Sequence, residues 1–226
     1  MAPLSRARHA GLALAAGFAL MARPAAAQVA GLPVFNTPVP LGVSAGLDAG
    51  FNGDEAGGGT AFGASVGYGS GIVGITATLA TWSPDDGDAI TSIGGTLGVR
   101  VLGGPLNPLS VQLQGGVGFW KQDAGVAGDV EFLHVPLGVA VGMVIPSPAV
   151  SLRPWIAPRL DLLHADTEDV TNEGDWLTDF GLSAGLDLAF IGGLGLRAAY
   201  DVVSRDDDRP SVFSVGVNYV FSLPGL

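Results

Sequence analysis

The chain has no cysteine, a single lysine and, after its first 27 residues, no apolar run near the length of a membrane-crossing helix. Each absence excludes something. Without cysteine there is no disulfide framework, and a lipoprotein anchored through a cysteine is ruled out. No glycine-rich phosphate loop leads into a helix, and no His/Cys spacing matches a metal site. Basic residues are scarce: 10 Lys and Arg stand against 21 Asp and Glu, a net charge of −11. That balance argues against nucleic acid, whose phosphates call for basic patches. A spanning helix needs about 20 apolar residues, yet the chain is 48% hydrophobic with mean hydropathy +0.44. Apolar residues in such number, without such a helix, leave either a large soluble core or a barrel wall facing lipid.

What is present is alternation. Leu41, Val43, Ala45, Leu47, Ala49 and Phe51 share one parity, with Gly42, Ser44, Gly46, Asp48 and Gly50 on the other. Strand side chains alternate faces with period two, so the segment has one apolar face and one small or polar face. The pattern predicts ten strands, at 41–52, 60–69, 72–82, 90–102, 109–121, 131–145, 150–163, 178–190, 194–203 and 212–221. Most are long enough for a tilted membrane strand of about 9–11 residues, and longer than the usual globular strand of about 5–6. On the non-apolar parity stand Gly, Ala, Ser, Thr and Gln. A soluble sheet would present Lys and Glu to water there; a face of glycine and serine fits the enclosed lumen of a narrow barrel.

The gaps between strands alternate in kind. Those at 52–59, 83–89, 121–131, 164–176 and 204–210, with neighbouring Asp179, hold 17 of the 21 acids. The turns at 70–71, 103–108, 146–149 and 191–193 hold none. Loops sorted by parity predict a closed antiparallel up-and-down transmembrane barrel with unlike compartments at its two ends. Ten strands, with eight as the alternative count, return both ends of the barrel to the short-turn side. Aromatic residues fall toward strand ends, as two interfacial belts would have them. Phe51, Phe62, Trp82, Phe119, Trp120, Trp176 and Phe180 lie near the long loops, and Tyr68, Phe190, Tyr219 and Phe221 near the short turns.

Residues 1–27 read as a cleaved signal peptide. Arg6, Arg8 and His9 precede an apolar run to Ala22, and Ala25-Ala26-Ala27 makes a small-residue cleavage site. Its removal leaves 7 basic against 21 acidic residues, a net −14. Residues 28–40, with three prolines and little period, read as a periplasmic N-terminal lead-in. The barrel occupies 41–221, and 222–226 form a C-terminal extension.

The last strand, Ser214-Val215-Gly216-Val217-Asn218-Tyr219-Val220-Phe221, has the form polar-x-Gly-x-x-aromatic-x-aromatic. It resembles the C-terminal insertion signal of bacterial outer-membrane barrels, with Gly216, Tyr219 and Phe221 as its marks. An edge strand with one apolar face is suited to augmentation on a receptor strand. Across 41–221 the chain resembles small outer-membrane β-barrel proteins of the opacity-protein or OmpA-barrel type. The resemblance implies an outer-membrane location in a Gram-negative-type bacterium with both termini periplasmic. It implies as partners the membrane lipid and lipopolysaccharide, the insertion machinery at the last strand, and an extracellular partner at the acidic loops. A monomer is expected, with no nucleic-acid partner and no cofactor.

Eight charges fall on the inward parity: Asp48, Arg100, Arg153, Arg159, Asp161, Asp187, Arg197 and Asp201, four of each sign. A tight turn at 191–193 pairs residues whose numbers sum to 384, setting Asp187 opposite Arg197. The set reads as a network that plugs the lumen; a polar path for a small or hydrophobic solute is the alternative. The acidic loops, among them Asp85, Asp86, Asp88 and Asp206 to Asp208, could offer oxygen ligands to a divalent ion, but none has the EF-hand spacing. Enzymes occur on similar barrels. His164 and Asp166 above strand seven, with Asp85 and Asp86 above strand three, resemble the omptin protease rim, but the order His-x-Asp is the reverse of that family's. Neither His134 nor His164 has the His-x-Ser of a lipid A deacylase. No enzymatic activity is expected. The role expected is structural or surface-interactive.

Overall fold

The computed structural model describes residues 29–34, 41–104, 107–123, 129–167, 176–205 and 208–221. Residues 1–28, where the signal peptide is expected, and residues 35–40, 105–106, 124–128, 168–175, 206–207 and 222–226 lie outside them. Ten strands follow one another: β1 (Leu41–Asn52), β2 (Thr60–Ser70), β3 (Val73–Ser83), β4 (Ile90–Gly104), β5 (Asn107–Asp123), β6 (Asp129–Met143), β7 (Val150–Thr167), β8 (Trp176–Phe190), β9 (Leu194–Ser204) and β10 (Ser211–Phe221). A 3-10 turn at Asp54–Ala56 sits in the first long loop. Each strand pairs antiparallel with its neighbours in sequence, and β1 pairs with β10 from Val43↔Phe221 to Asn52↔Val212, which closes the barrel. With no free edge, every strand finds partners on both sides, as a wall in hydrocarbon requires.

Parity decides what each side chain meets. The outward set is apolar and exposed (Leu47, Phe62, Val66, Leu97, Leu113, Leu160 and Tyr200 among them), with Phe62 at 66%. The inward set is buried or half-buried, and small or polar except toward the long loops, where large apolar side chains join it. The two sets trade places at one point. A register shift between Arg100 and Leu102 inserts an extra residue opposite β5, so Val101 and Leu102 both face out. Pairing is also interrupted beside Pro136, between Gly115↔Leu137 and Gly118↔His134. It is interrupted again beside Pro158, between Gly138↔Arg159 and Val141↔Ile156. Proline has no N–H to give the ladder, but the register is kept on either side.

Two of the expected belt residues do not join the belt. Trp82 and Trp120 point inward and are each 1% exposed. Their own strands carry the signal: Trp82 shares parity with Thr78 and Ala80, and Trp120 with Gly116 and Gly118, not with the apolar faces of β3 and β5. Trp120 stacks on Phe132, ring centroids 5.4 Å apart, and the Trp82 indole donates to the Gly58 carbonyl at 3.0 Å. These rings, with Ile90, Val130 and Leu163, fill the long-loop end of the lumen.

Residues 29–34, expected outside the barrel as part of the lead-in, lie inside it. Val29, Ala30, Leu32 and Val34 are at most 2% exposed. The first three pack in the same cluster as Trp82 and Trp120. The reason is volume. The wall facing them is Gly50, Ala61 and Gly63, too small to fill the lumen alone, and the apolar segment occupies the space left over.

Candidate functional site: the charged interior

The inward charges sort into two groups at different heights. Arg159 of β7 centres the first, because its guanidinium offers donors in a planar fork. Nε donates to Asp161 Oδ1 at 2.9 Å, Nη1 to Ser183 Oγ at 2.6 Å and Nη2 to Asp201 Oδ1 at 2.7 Å. Asp161 lies two residues along from Arg159 on the same face, and Ser183 and Asp201 are direct cross-strand partners of β8 and β9. The Ser183 hydroxyl donates to Asp201 Oδ2 at 2.5 Å. His134 reaches across from β6, with Nε2 2.8 Å from Asp161 Oδ1. The ring nitrogen facing a carboxylate carries the hydrogen. All five residues are 0–2% exposed, so the bonds form with little competition from water.

Sequence reasoning placed Arg159, Asp161 and Asp201 on the inner face but left out His134 and Ser183. The missing signal was parity again. His134 falls between the outward Leu133 and Val135, and Ser183 between the outward Leu182 and Ala184. A polar residue on the inner parity is a lumen residue whether or not it carries charge.

The second group is one rung of the wall. Arg153, Asp187 and Arg197 are successive cross-strand partners on β7, β8 and β9, which is the pairing the 384 sum expects for the last two. The rung continues through Gly216 of β10 to Asp48 of β1. A side chain on Gly216 would collide with Asp48 Oδ1; glycine there lets the carboxylate lean toward Arg197. Arg197 Nε lies 3.7 Å from Asp48 Oδ1 and 3.9 Å from Asp187 Oδ1. These contacts are longer than those at Arg159, and the side chains of Arg197 and Asp187 keep 11% and 15% exposure. Arg100 stands half-buried on β4, opposite Gln112 and three strands from Arg153. Asp187→Ala removes the carboxylate between two arginines and should destabilise the folded barrel by about 1–3 kcal/mol. Urea unfolding in lipid measures this; equal stability of variant and parent contradicts the pairing.

The rim carries further charge. Lys121 and Glu131 pair across β5 and β6, and Arg205 Nε donates to Asp179 Oδ2 at 2.8 Å. His164 faces outward, stacked on Trp176 with centroids 5.0 Å apart, and Asp166 is also outward on β7, four strands from the Asp85 end of β3. Among the described residues no group of three or more His, Asp or Glu could hold a metal; residues 168–175, 206 and 207 lie outside them. At the last strand, Tyr219 and Phe221 face outward with rings 4.7 Å apart, and Gly216 faces inward.

No known protein family matches the sequence, and no curated protein does. Solved structures match it by fold. The β domain of the Bordetella autotransporter BrkA is 17% identical, with TM-score 0.51, covering 80% of this chain and 99% of that one. The translocator domain of autotransporter NalP from Neisseria meningitidis is 18% identical (TM-score 0.44; 84% and 91% covered). Ail, the attachment invasion locus protein of Yersinia pestis, is 15% identical (TM-score 0.38; 80% and 100% covered). At such identities the likeness is one of fold: the chain has the closed antiparallel barrel of outer-membrane β-barrel proteins.

Proposed function

We propose that the chain is an integral protein of a bacterial outer membrane whose barrel is closed to passive flow and whose work is done at its surface. Its long acidic loops would face outward and both ends of the barrel would face the periplasm. The observation that carries the closed reading is the filled long-loop end, where residues 29–34, Trp82, Trp120 and Phe132 are nearly inaccessible. Below them the guanidinium of Arg159 ties the adjacent strands β7, β8 and β9 together on the inner face. A barrel plugged in this way would add stiffness to the envelope and present its loops. The outward apolar face suits a monomer surrounded by lipid, and the acidic loops suit divalent-ion bridges to lipopolysaccharide phosphate or contact with an extracellular partner. The last strand is the piece for the insertion machinery.

The narrow-channel alternative has one observation on its side. The inner face toward the short turns, including Ser44, Thr76, Thr78, Gln114 and Asn218, is polar and only half-buried. Planar-bilayer recording separates the two. The purified parent chain is expected to give no stable single-channel steps, and reproducible steps overturn the closed reading. Heat-modifiable migration on a detergent gel checks the barrel itself: an unboiled sample should run as a compact band, and a detergent-free soluble monomer contradicts the membrane assignment.

A further inference from the structure

Residues 29–34 are held by the barrel in the manner of a bound peptide. The segment is a tight turn: Leu32 N–H donates to the Val29 carbonyl at 3.3 Å, with Gly31 at φ +78° in the position that favours glycine. Three of its backbone groups bond to inward side chains from three strands. Ala30 N–H donates to Ser92 Oγ of β4 at 3.1 Å, and Asn52 Nδ2 of β1 donates to the Gly31 carbonyl at 3.4 Å. Val34 N–H donates to Asp201 Oδ2 of β9 at 3.1 Å. The fit is close on both sides. A Cβ on Gly31 would lie 2.6 Å from Ala61 Cβ and 2.8 Å from Trp82 Cγ. Side chains on Gly50 or Gly63 would strike the Gly31 carbonyl or Leu32. Asp201 shares its carboxylate among Val34, Ser183 and Arg159, which joins the segment to the charge cluster. The partners lie on both sides of the β1/β10 closure, from β4 round to β9.

We propose that residues 29–34 are a tethered plug seated in a built site for a short, apolar, turn-forming peptide, and that emptying this site turns the closed barrel into a pore. The proposal rests on the closed-lumen reading above. The seat combines an apolar floor (Trp82, Ile90, Leu163) with polar groups at Ser92, Asn52 and Asp201 that read peptide backbone rather than side chains. A ligand of that chemistry, with glycine at its third position, would compete with the segment. Its carboxylate contact at Asp201 calls for a free backbone N–H at the residue equivalent to Val34.

The test compares three barrels in planar bilayers: the full-length parent, a variant lacking residues 29–34, and full-length Gly31→Val, which leaves the wall intact but cannot seat. The parent should be silent. The deletion should give stable steps, and the peptide Val-Ala-Gly-Leu-Pro-Val added to the bath should abolish them. The same peptide with valine in place of its glycine should have no effect. Gly31→Val should conduct intermittently; it carries the test if the deletion does not yield a heat-modifiable band. Folded variants that both stay silent overturn the plug while the closed-lumen reading stands, and steps that the peptide leaves unchanged overturn the peptide site. A conducting parent overturns the closed-lumen reading itself.

Discussion

Arg159→Ala should lower the stability of the barrel by about 3–5 kcal/mol, the usual consequence of removing one partner from a buried ion pair. The substitution leaves Asp161 and Asp201 buried at 1% exposure each and facing a void. It also takes the Nη1 donor from Ser183. The loss is in desolvation: the carboxylates gave up water when the barrel closed, and the guanidinium was their compensation. Arg159→Lys should fall between parent and alanine, since one ammonium cannot span Asp161, Ser183 and Asp201 as the fork does. A triple variant with leucine at 159, 161 and 201 removes the buried charges but leaves the His134 ring, the Ser183 hydroxyl and the Val34 N–H without their carboxylate partners, so it should recover only part of the loss. Urea titration in liposomes, or the temperature at which the unboiled gel band converts, gives the ranking. Arg159→Ala as stable as the parent would show that the network carries no stability.

Trp120→Ala should cost about 3–5 kcal/mol, the range for emptying a large aromatic site in a packed core. The indole is wedged between Phe132 and His134, whose ring it meets edge-on at 6.5 Å. The wall positions around it are held by their strand hydrogen bonds, so the space closes only in part. Phe119→Ala, one residue away, should cost clearly less. Phe119 faces outward at 37% exposure, where lipid chains close over the gap and no cavity remains. The two adjacent substitutions, measured by the same unfolding curve, separate the faces of β5. A larger loss at Phe119 than at Trp120 would reverse the assignment of inside and outside.

Much of the wall was legible from residue order. The ten strands fall within a few residues of where alternation put them, because a period-two pattern in a closed barrel has one solution: apolar outward, small inward. Register was legible where a turn was short. The three-residue connection after Phe190 pins Asp187 to Arg197 by counting. The interior was read less well. Proximity to a loop suggested that Trp82 and Trp120 sit at the interface, but parity, the stronger rule, sends them into the lumen. His134 and Ser183 escaped notice because only charged residues were followed inward.

The hidden element was the segment at 29–34. Its proline, with two more before Leu41, and its lack of period mark a connector, and no local pattern announces that a connector will fold back into the barrel. The cue is distributed: glycine and alanine at 50, 61 and 63 on two strands leave room that only a distant piece of chain can fill.

The sequence by itself determined the wall, its two faces and the sorting of acids to one set of gaps, since each follows from period-two alternation and the lengths of the gaps; of its ten or eight strands the structure chose ten. Only the tertiary structure decided what fills the lumen. Arg159 meets Asp201 across 42 positions and Val34 meets Asp201 across 167. Such contacts depend on curvature, closure and leftover volume, which exist only once ten strands have joined into one surface.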